Sequence, residues 1–410
     1  MNGGPMDTAR IGGMPLLGDR GARSSGAAFT LTSESPKSAS IAVGSHFRVS
    51  VRRGSDSLVV RGGRSRSCAA AWESALGAAH RGLDLLSLTG SVNLSMRNPE
   101  EDYAVWWLDG SDLILRLFAV ETSTVEMSAR MGVRDASGRL VRQRTEKPAW
   151  HESYRFFRLA QVTDDALDAY RNLYLALECL LDEHYPHRRR EPEDVWLRRA
   201  LGQVHQSTSL AHFAPSGAPD PIAAIVQGLY SITRTSVFHA KSSRPHVLPG
   251  DRAAMRRVRK SVEPLAGLYL AVVAQELGMR RATSGITLYA FNQMVSSGLW
   301  DAIALAVSDD PSPFDPADEE INPAGGAVVA LATARAPQYD EDFVCNWLGS
   351  VEVASLASLS CVARTGATRE GRAAFVQMRH DNLTLGGFDV LEYRLAHRVE
   401  NQGPRRLYPR

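Results

Sequence analysis

The chain has 410 residues and a mass of 44.7 kDa; 44% of the residues are hydrophobic, 22% are charged, and the formal net charge is +2. That size predicts two or three domains with sizeable cores, and the composition excludes a disordered, collagen-like or coiled-coil chain and a histone-like tail protein. With no apolar run near the ~18 residues of a membrane span and no signal-peptide core near the start, the expectation is a soluble cytoplasmic protein with no membrane partner.

Residues 1–38 are rich in Gly, Ala and Ser without periodicity and read as a disordered lead-in. Residues 40–52 and 57–61 have strand character. Trp72, Ala75, Leu76, Ala79, Leu83 and Leu86 recur at helical spacing, with Gly90 as a stop. Residues 105–117 read as two strands around the Asp109-Gly110 turn, and 123–143 repeat that pattern around Ser137-Gly138. Residues 39–150 are therefore expected to form a small α+β module, a sheet carrying one helix.

The texture changes over 151–300. Ala166, Tyr170, Leu173, Tyr174, Leu177, Leu180 and Leu181 make a long apolar helical stripe. A second helix is expected from Glu193 to His205 after Pro192, and a third from Pro221 to about Val237. A fourth spans Asp251 to Leu277, kinked or split at Pro264. Four helices on short or moderate loops predict an antiparallel bundle. Beyond Trp300, the segments 327–334, 349–363, 373–379 and 388–399 read as strands, so 301–410 is expected to be a β-rich module whose last ten residues fray. The predicted fold class is α+β and multidomain, with a central four-helix bundle between an N-terminal α+β module and a C-terminal β-rich module. No internal repeat is visible.

Charge is unevenly spread. Residues 186–260 hold 13 Lys and Arg against 5 Asp and Glu, whereas residues 301–342 hold 10 acidic residues and one basic. This suits an anionic partner in the middle or two faces that meet; the simpler alternative is solvated helix faces. The four cysteines, Cys68, Cys179, Cys345 and Cys361, lack CxxC spacing and read as packing residues.

Phosphate-loop, dinucleotide, GxSxG and HExxH signatures are absent. Asp182, Glu183, His184 and His187 have metal-ligand types, but Pro186 interrupts them and they read more simply as a solvated helix end; no metal or cofactor is expected. Trp106-Trp107 offers a base-stacking platform, although strand alternation assigns one of the pair to a core.

The informative segment is GLYSITRTSVFHAK, Gly228 to Lys241, in which four residues separate Arg234 from His239. In an unbroken helix the two lie about 140° apart. Convergence on one phosphate needs the helix to end near Val237, or a second subunit to share the site.

On these residues the stretch 155–280 resembles a HEPN domain, whose members carry an Arg-x4–6-His motif at the end of the third helix. YRNLYLALECLLDEHY is similar to the family's opening helix, with Glu178 at an often acidic position. The segment Pro192 to Leu197 is similar to the start of the second helix, and LYSITRTSVFHAK is similar to Apea-like and methylamine-utilisation accessory branches. The residue after the motif arginine, often Asn, Asp or His, is here Thr235.

The resemblance implies a metal-independent endoribonuclease of the defence or toxin type. His239 would act as acid or base at the ribose 2′-OH and the leaving 5′-oxygen, and Arg234 would clamp the phosphate. Lys241, Arg244 and the run Arg188, Arg189, Arg190 would track the RNA backbone. The resemblance further implies a homodimer with two motifs facing one cleft. The alternative is a non-catalytic scaffold binding protein or nucleotide, with the His239 ring packed against Tyr230 or the fourth helix.

Overall fold

The structure is a computed structural model that describes residues 8–18, 24–125, 137, 149–163, 165–229, 235–238, 247–248, 251–279, 288–296, 298, 301–313, 315, 318–336, 343–370 and 372–401. It divides into two compact units, Met1–Thr124 with Ile286–Glu400, and Val125–Gly285 with Asn401–Arg410.

The first unit begins with the hairpin β1 (Arg10–Ile11) and β2 (Met14–Pro15), followed by β3 (Ser25–Thr30), β4 (Ala39–Val43), β5 (Phe47–Val51) and β6 (Ser57–Gly63). Helix α1 (Cys68–Leu88) comes next, then the hairpin β7 (Tyr103–Asp109) and β8 (Asp112–Val125), which turns at Gly110 with φ 59°. The α1 helix starts where the Ser67 side chain accepts the Ala70 N–H, and its stripe from Trp72 to Leu86 packs on the sheet. Gly82 lets it approach closely, since a Cβ there would lie 2.6 Å from Val49.

The second unit is helical: α2 (Ser153–Val162), α3 (Ala166–His184), α4 (Glu193–Ser207), α5 (Pro221–Val226), α6 (Thr235–Phe238) and α7 (Arg252–Glu276). Its core is built on α3, whose Tyr170, Leu173, Leu177, Leu180 and Leu181 are buried together with Trp196 and Tyr269. Each such side chain contributes roughly 1.5–3 kcal/mol of burial. Asp165 opens α3 by accepting the N–H groups of Leu167 and Asp168, and Asp251 opens α7 in the same way through Ala254.

The chain then returns to the first unit with α8 (Leu288–Ser296), β9 (Ile303–Ser308), β10 (Val328–Ala330), β11 (Ala332–Arg335), β12 (Val344–Glu352), β13 (Val362–Arg369), β14 (Arg372–Leu383) and β15 (Val390–Asn401). Nine strands form one sheet in the order β11-β12-β15-β8-β7-β3-β6-β5-β4, and β10-β9-β13-β14 form a second. At the seam, Leu113 bonds Asp389, Arg116 pairs with Glu392 and Ser123 meets His397. The contacts advance together along both chains, so β8 and β15 are parallel and the large sheet is mixed. A parallel join needs a long crossover, which here is all the chain between the two strands. Around Leu331, β10 and β11 enter different sheets.

This architecture corrects the predicted fold class. The two flanking modules share one sheet, six of its strands N-terminal and three C-terminal, and fall in one compact unit, so 39–150 and 301–410 are not separate domains. No central antiparallel four-helix bundle is found among the described residues. Among the described residues the helical unit has six α-helical segments of very unequal length, and α3 and α7 lie side by side with their C-terminal ends together, as Tyr185 and His184 both meet Glu276. The expected third helix is described in part: α5 covers Pro221–Val226, residues 227–229 follow with π-type geometry, and Thr235–Phe238 are helical as α6, while residues 230–234 lie outside the described residues. By contrast α7 runs through Pro264 without splitting.

The disordered lead-in over 1–38 is also corrected. The β3 strand is buried and pairs with both β6 and β7. Its small residues lack alternation because both faces are covered; a Cβ on Gly26 would meet the Trp106 ring at 2.5 Å. The expected hairpin around Ser137-Gly138 lies almost wholly outside the described residues. The acidic stretch finds partners within its own unit. Buried Arg364 pairs with Asp318 and donates to the Ser312 and Pro313 carbonyls, and Arg335 pairs with Asp301.

Candidate functional site

Of the motif residues, Arg234, His239, Lys241, Arg244 and Tyr230 lie outside the described residues. Thr235 is the first described residue of α6, whose four described residues lie between Arg234 and His239 in the chain.

That turn is fixed to α3. The Arg171 guanidinium donates to the Val237 carbonyl at 3.0 Å, and the Tyr174 and Phe238 rings meet edge-on at 5.8 Å. Val237 is buried in the helical core. Upstream, the π-type turn leaves the Leu229 carbonyl to the Tyr170 hydroxyl, which donates to it at 2.6 Å. Downstream, the Val247 N–H closes back on the Ser236 carbonyl at 3.1 Å. Leu229 and Val237 are thereby held by side chains of α3, and Ser236 by the backbone of Val247.

Two clusters of exposed basic side chains in the helical unit bear on the predicted RNA contacts. Arg188, Arg189 and Arg190 sit in an exposed turn after α3, with Arg190 in the left-handed region at φ 62°. The turn is rigid. The Glu191 carboxylate accepts two bonds from Arg199, at 2.9 and 2.8 Å, and the Arg188 N–H at 2.9 Å, which holds it down at about 2. His187 stacks on Trp196 at 4.0 Å. Helix rise places this turn about 15–20 Å from the residues of α3 that grip α6.

The second basic surface is one that the sequence reading did not single out. Arg256, Arg257 and Lys260 are exposed on the N-terminal half of α7, three and four residues apart on one face, and form no ion pair among the described residues. Because α3 and α7 run parallel, this face lies at the end of α3 that holds α6. A count of charges over 186–260 includes these cations but cannot show that they share a face.

The metal-type residues after α3 diverge. Asp182 bonds His187, Glu183 bonds His151, and His184 meets Glu276; no three such groups converge on a metal position among the described residues. Glu178 is half-buried on α3. Both tryptophans of the pair are core residues: Trp106 meets Phe388 edge-on, and Trp107 lies under Arg116. Neither can stack a base.

A polar chain that no motif announced links three helices. His151 Nε2 meets Glu183 Oε2 at 2.9 Å, His151 Nδ1 meets Ser153 Oγ at 2.7 Å, and Ser153 Oγ meets Tyr269 OH at 2.9 Å. Its order of types matches a hydrolase triad, but Ser153 is fully buried and cannot reach a substrate. The Ser153 N–H also donates to Nδ1 at 3.1 Å, which assigns the ring proton to Nε2, facing Glu183. The chain is a latch holding the start of α2 on α3 and α7.

No protein-family model, curated protein or solved structure matches the chain. No described helix is long and apolar enough to cross a membrane.

Proposed function

We propose that the protein is a metal-independent endoribonuclease acting through Arg234 and His239, the activity that the HEPN resemblance implies. The observation that carries this reading is the anchoring of Thr235–Phe238, the four residues between Arg234 and His239 in the chain, which are helical and are held by Arg171, Tyr174 and Val247. The exposed cations of α7 begin a few residues beyond Val247, where an RNA backbone entering the motif would need countercharge.

In this mechanism His239 takes the proton of the ribose 2′-OH as that oxygen attacks phosphorus, or gives a proton to the 5′-oxygen as it leaves. Arg234 spans two phosphoryl oxygens and stabilises the charge that builds on them. The products are a 2′,3′-cyclic phosphate and a 5′-hydroxyl, and DNA is not cut. A homodimer would place a second motif at the same cleft.

The test is cleavage of single-stranded RNA in EDTA by wild type and by His239→Ala. Cleavage with 2′,3′-cyclic phosphate ends, lost in the variant, supports the reading. RNA left intact by wild type, together with a thermal midpoint lowered in His239→Ala, transfers the motif to the scaffold reading.

A further inference from the structure

The first unit contains an open cleft of about 420 Å³ in which three arginines, Arg10, Arg52 and Arg53, face the same space. No carboxylate lines it, and none of the three forms an ion pair among the described residues. Three segments far apart in the chain build it: the turn of the β1–β2 hairpin, the end of β5, and Thr384 just after β14.

The arginines are held from behind. Arg10 is anchored through its backbone, donating its N–H to Thr384 Oγ1 at 3.0 Å while its carbonyl accepts the Thr384 N–H at 2.9 Å. Its guanidinium donates to the Gly13 carbonyl at 3.2 Å, and that of Arg52 to the Gly12 carbonyl at 3.5 Å. The backbone N–H of Arg53 is fixed by Ser38 Oγ at 3.1 Å. These contacts use one donor of each bonded guanidinium and leave most of the fork open. Gly12 and Gly13 turn the hairpin at φ 56° and 70°, and a Cβ on Gly13 would fall on the Arg52 guanidinium. The absence of a side chain there is what lets Arg52 lie over the turn.

Three like charges gathered without an acid repel one another in the empty cleft, and an anion relieves that repulsion. Planar forks suit the oxygens of phosphate, and three of them suit several phosphates in a row better than one. No aromatic ring lines the cleft, so it has nothing on which to stack a base. We infer that this cleft is a binding site for an oligophosphate, either free or as the phosphate tail of a nucleotide, recognised through its charge. The site is independent of the motif at Arg234 and His239.

The experiment is calorimetric titration of the full chain at low salt with inorganic tripolyphosphate, with ATP and with adenosine. Saturable binding of tripolyphosphate and ATP, without adenosine binding, is the expected result. Binding of ATP but not of tripolyphosphate would mean that the base is read, and would overturn the assignment. Arg52→Ala and Arg53→Ala should each weaken binding about tenfold or more, and Arg53→Lys less. Arg48→Ala, a strand cation that does not line the cleft, should leave it unchanged; equal losses in Arg48→Ala would reduce the effect to diffuse charge and sink the site. All three side chains are exposed, and an unchanged circular dichroism melt excludes misfolding as the cause of a loss. Wild type that shows no saturable binding at millimolar tripolyphosphate overturns the proposal outright.

Discussion

Arg116 and Glu392 lie across the parallel seam of the large sheet, with Nη2 at 2.6 Å and Nε at 2.7 Å from the same carboxylate oxygen. Both side chains are mostly shielded, and the guanidinium also lies 5.0 Å over the Trp107 ring. The pair joins a strand near residue 116 to one near residue 392 at the place where N- and C-terminal halves become one sheet.

Removing one partner leaves a charge stranded in that seam. Glu392→Gln is expected to lower stability by about 2–3 kcal/mol, somewhat less than for a fully buried pair because some solvent reaches both groups. The double variant Arg116→Met, Glu392→Leu should recover much of the loss, since it strands nothing. Urea unfolding midpoints of the three proteins measure this. A double variant no better than the single one would show that the seam depends on the charge itself.

The helical unit depends on a neutral counterpart of that pair. Tyr170→Phe removes the 2.6 Å bond to the Leu229 carbonyl and leaves that acceptor buried at the π-type turn. A loss of about 1–3 kcal/mol is expected. His151→Ala should cost at least as much, because it removes the Nδ1 partner of both the N–H and the hydroxyl of fully buried Ser153, whereas Glu183→Ala should cost little because Glu183 is largely exposed. A stability order with Glu183→Ala worst would remove the latch interpretation.

Much of the local structure was legible in the sequence. The stripe from Trp72 to Leu86 is α1, the stripe from Ala166 to Leu181 is α3, and Asp109-Gly110 turns a hairpin. Periodicity reports which face an element buries, and these elements bury one face. It failed at β3, where small residues covered on both sides imitate a flexible tail. It failed again at the β8–β15 seam, because no local pattern encodes a pairing between residues 116 and 392. For the same reason the arginine cleft was invisible, since Arg10, Arg52 and Arg53 are unremarkable until the fold gathers them. The Arg234 and His239 pair was legible as a motif, and its anchoring by Tyr170, Arg171 and Tyr174 was not, because those residues looked like the exposed and buried positions of any amphipathic helix.

Two buried titrating groups of the first unit should oppose one another with pH. Burial, reinforced by the Glu101 charge, pushes Asp102 up to about 6, against the Val120 N–H and Arg97. Burial pushes His397 down to about 4. Between about pH 4 and 6 the folded state holds an extra proton at Asp102, so acidification through that window stabilises it, and the contribution is lost as pH rises through 6. His397 behaves oppositely: its unfolded form takes a proton first below about 6.5, so stability is lost as pH falls toward 4. Wild type should therefore show a shallow profile over this range. Asp102→Asn should be more stable than wild type at pH 7 and should lose stability relative to wild type on acidification, because the Asp102 slope that opposes the histidine is gone. Thermal midpoints between pH 4 and 7 test this, and a profile in Asp102→Asn that parallels wild type would refute the assignment to Asp102.

The last prediction concerns the basic face of α7 and rests on the ribonuclease proposal. Arg256, Arg257 and Lys260 are exposed, share one helix face and form no ion pair among the described residues. If they neutralise RNA phosphates, each removes about one counterion from the salt dependence of binding, with a slope near −0.7 per contact for a single strand. Arg256→Ala with Lys260→Ala should lower RNA affinity at low salt and make the plot of log affinity against log salt shallower by about one to one and a half. Loss should be uniform across RNA sequences, because phosphate contacts carry no base information. The corresponding change at Arg189 and Arg190, on the turn about 15–20 Å away along α3, separates the two surfaces. If only that pair flattens the slope, the backbone runs over the α3–α4 turn and the α7 face is ordinary solvated surface. If neither does, RNA is not held by this unit, and cleavage assays on His239→Ala decide whether the motif acts on RNA at all.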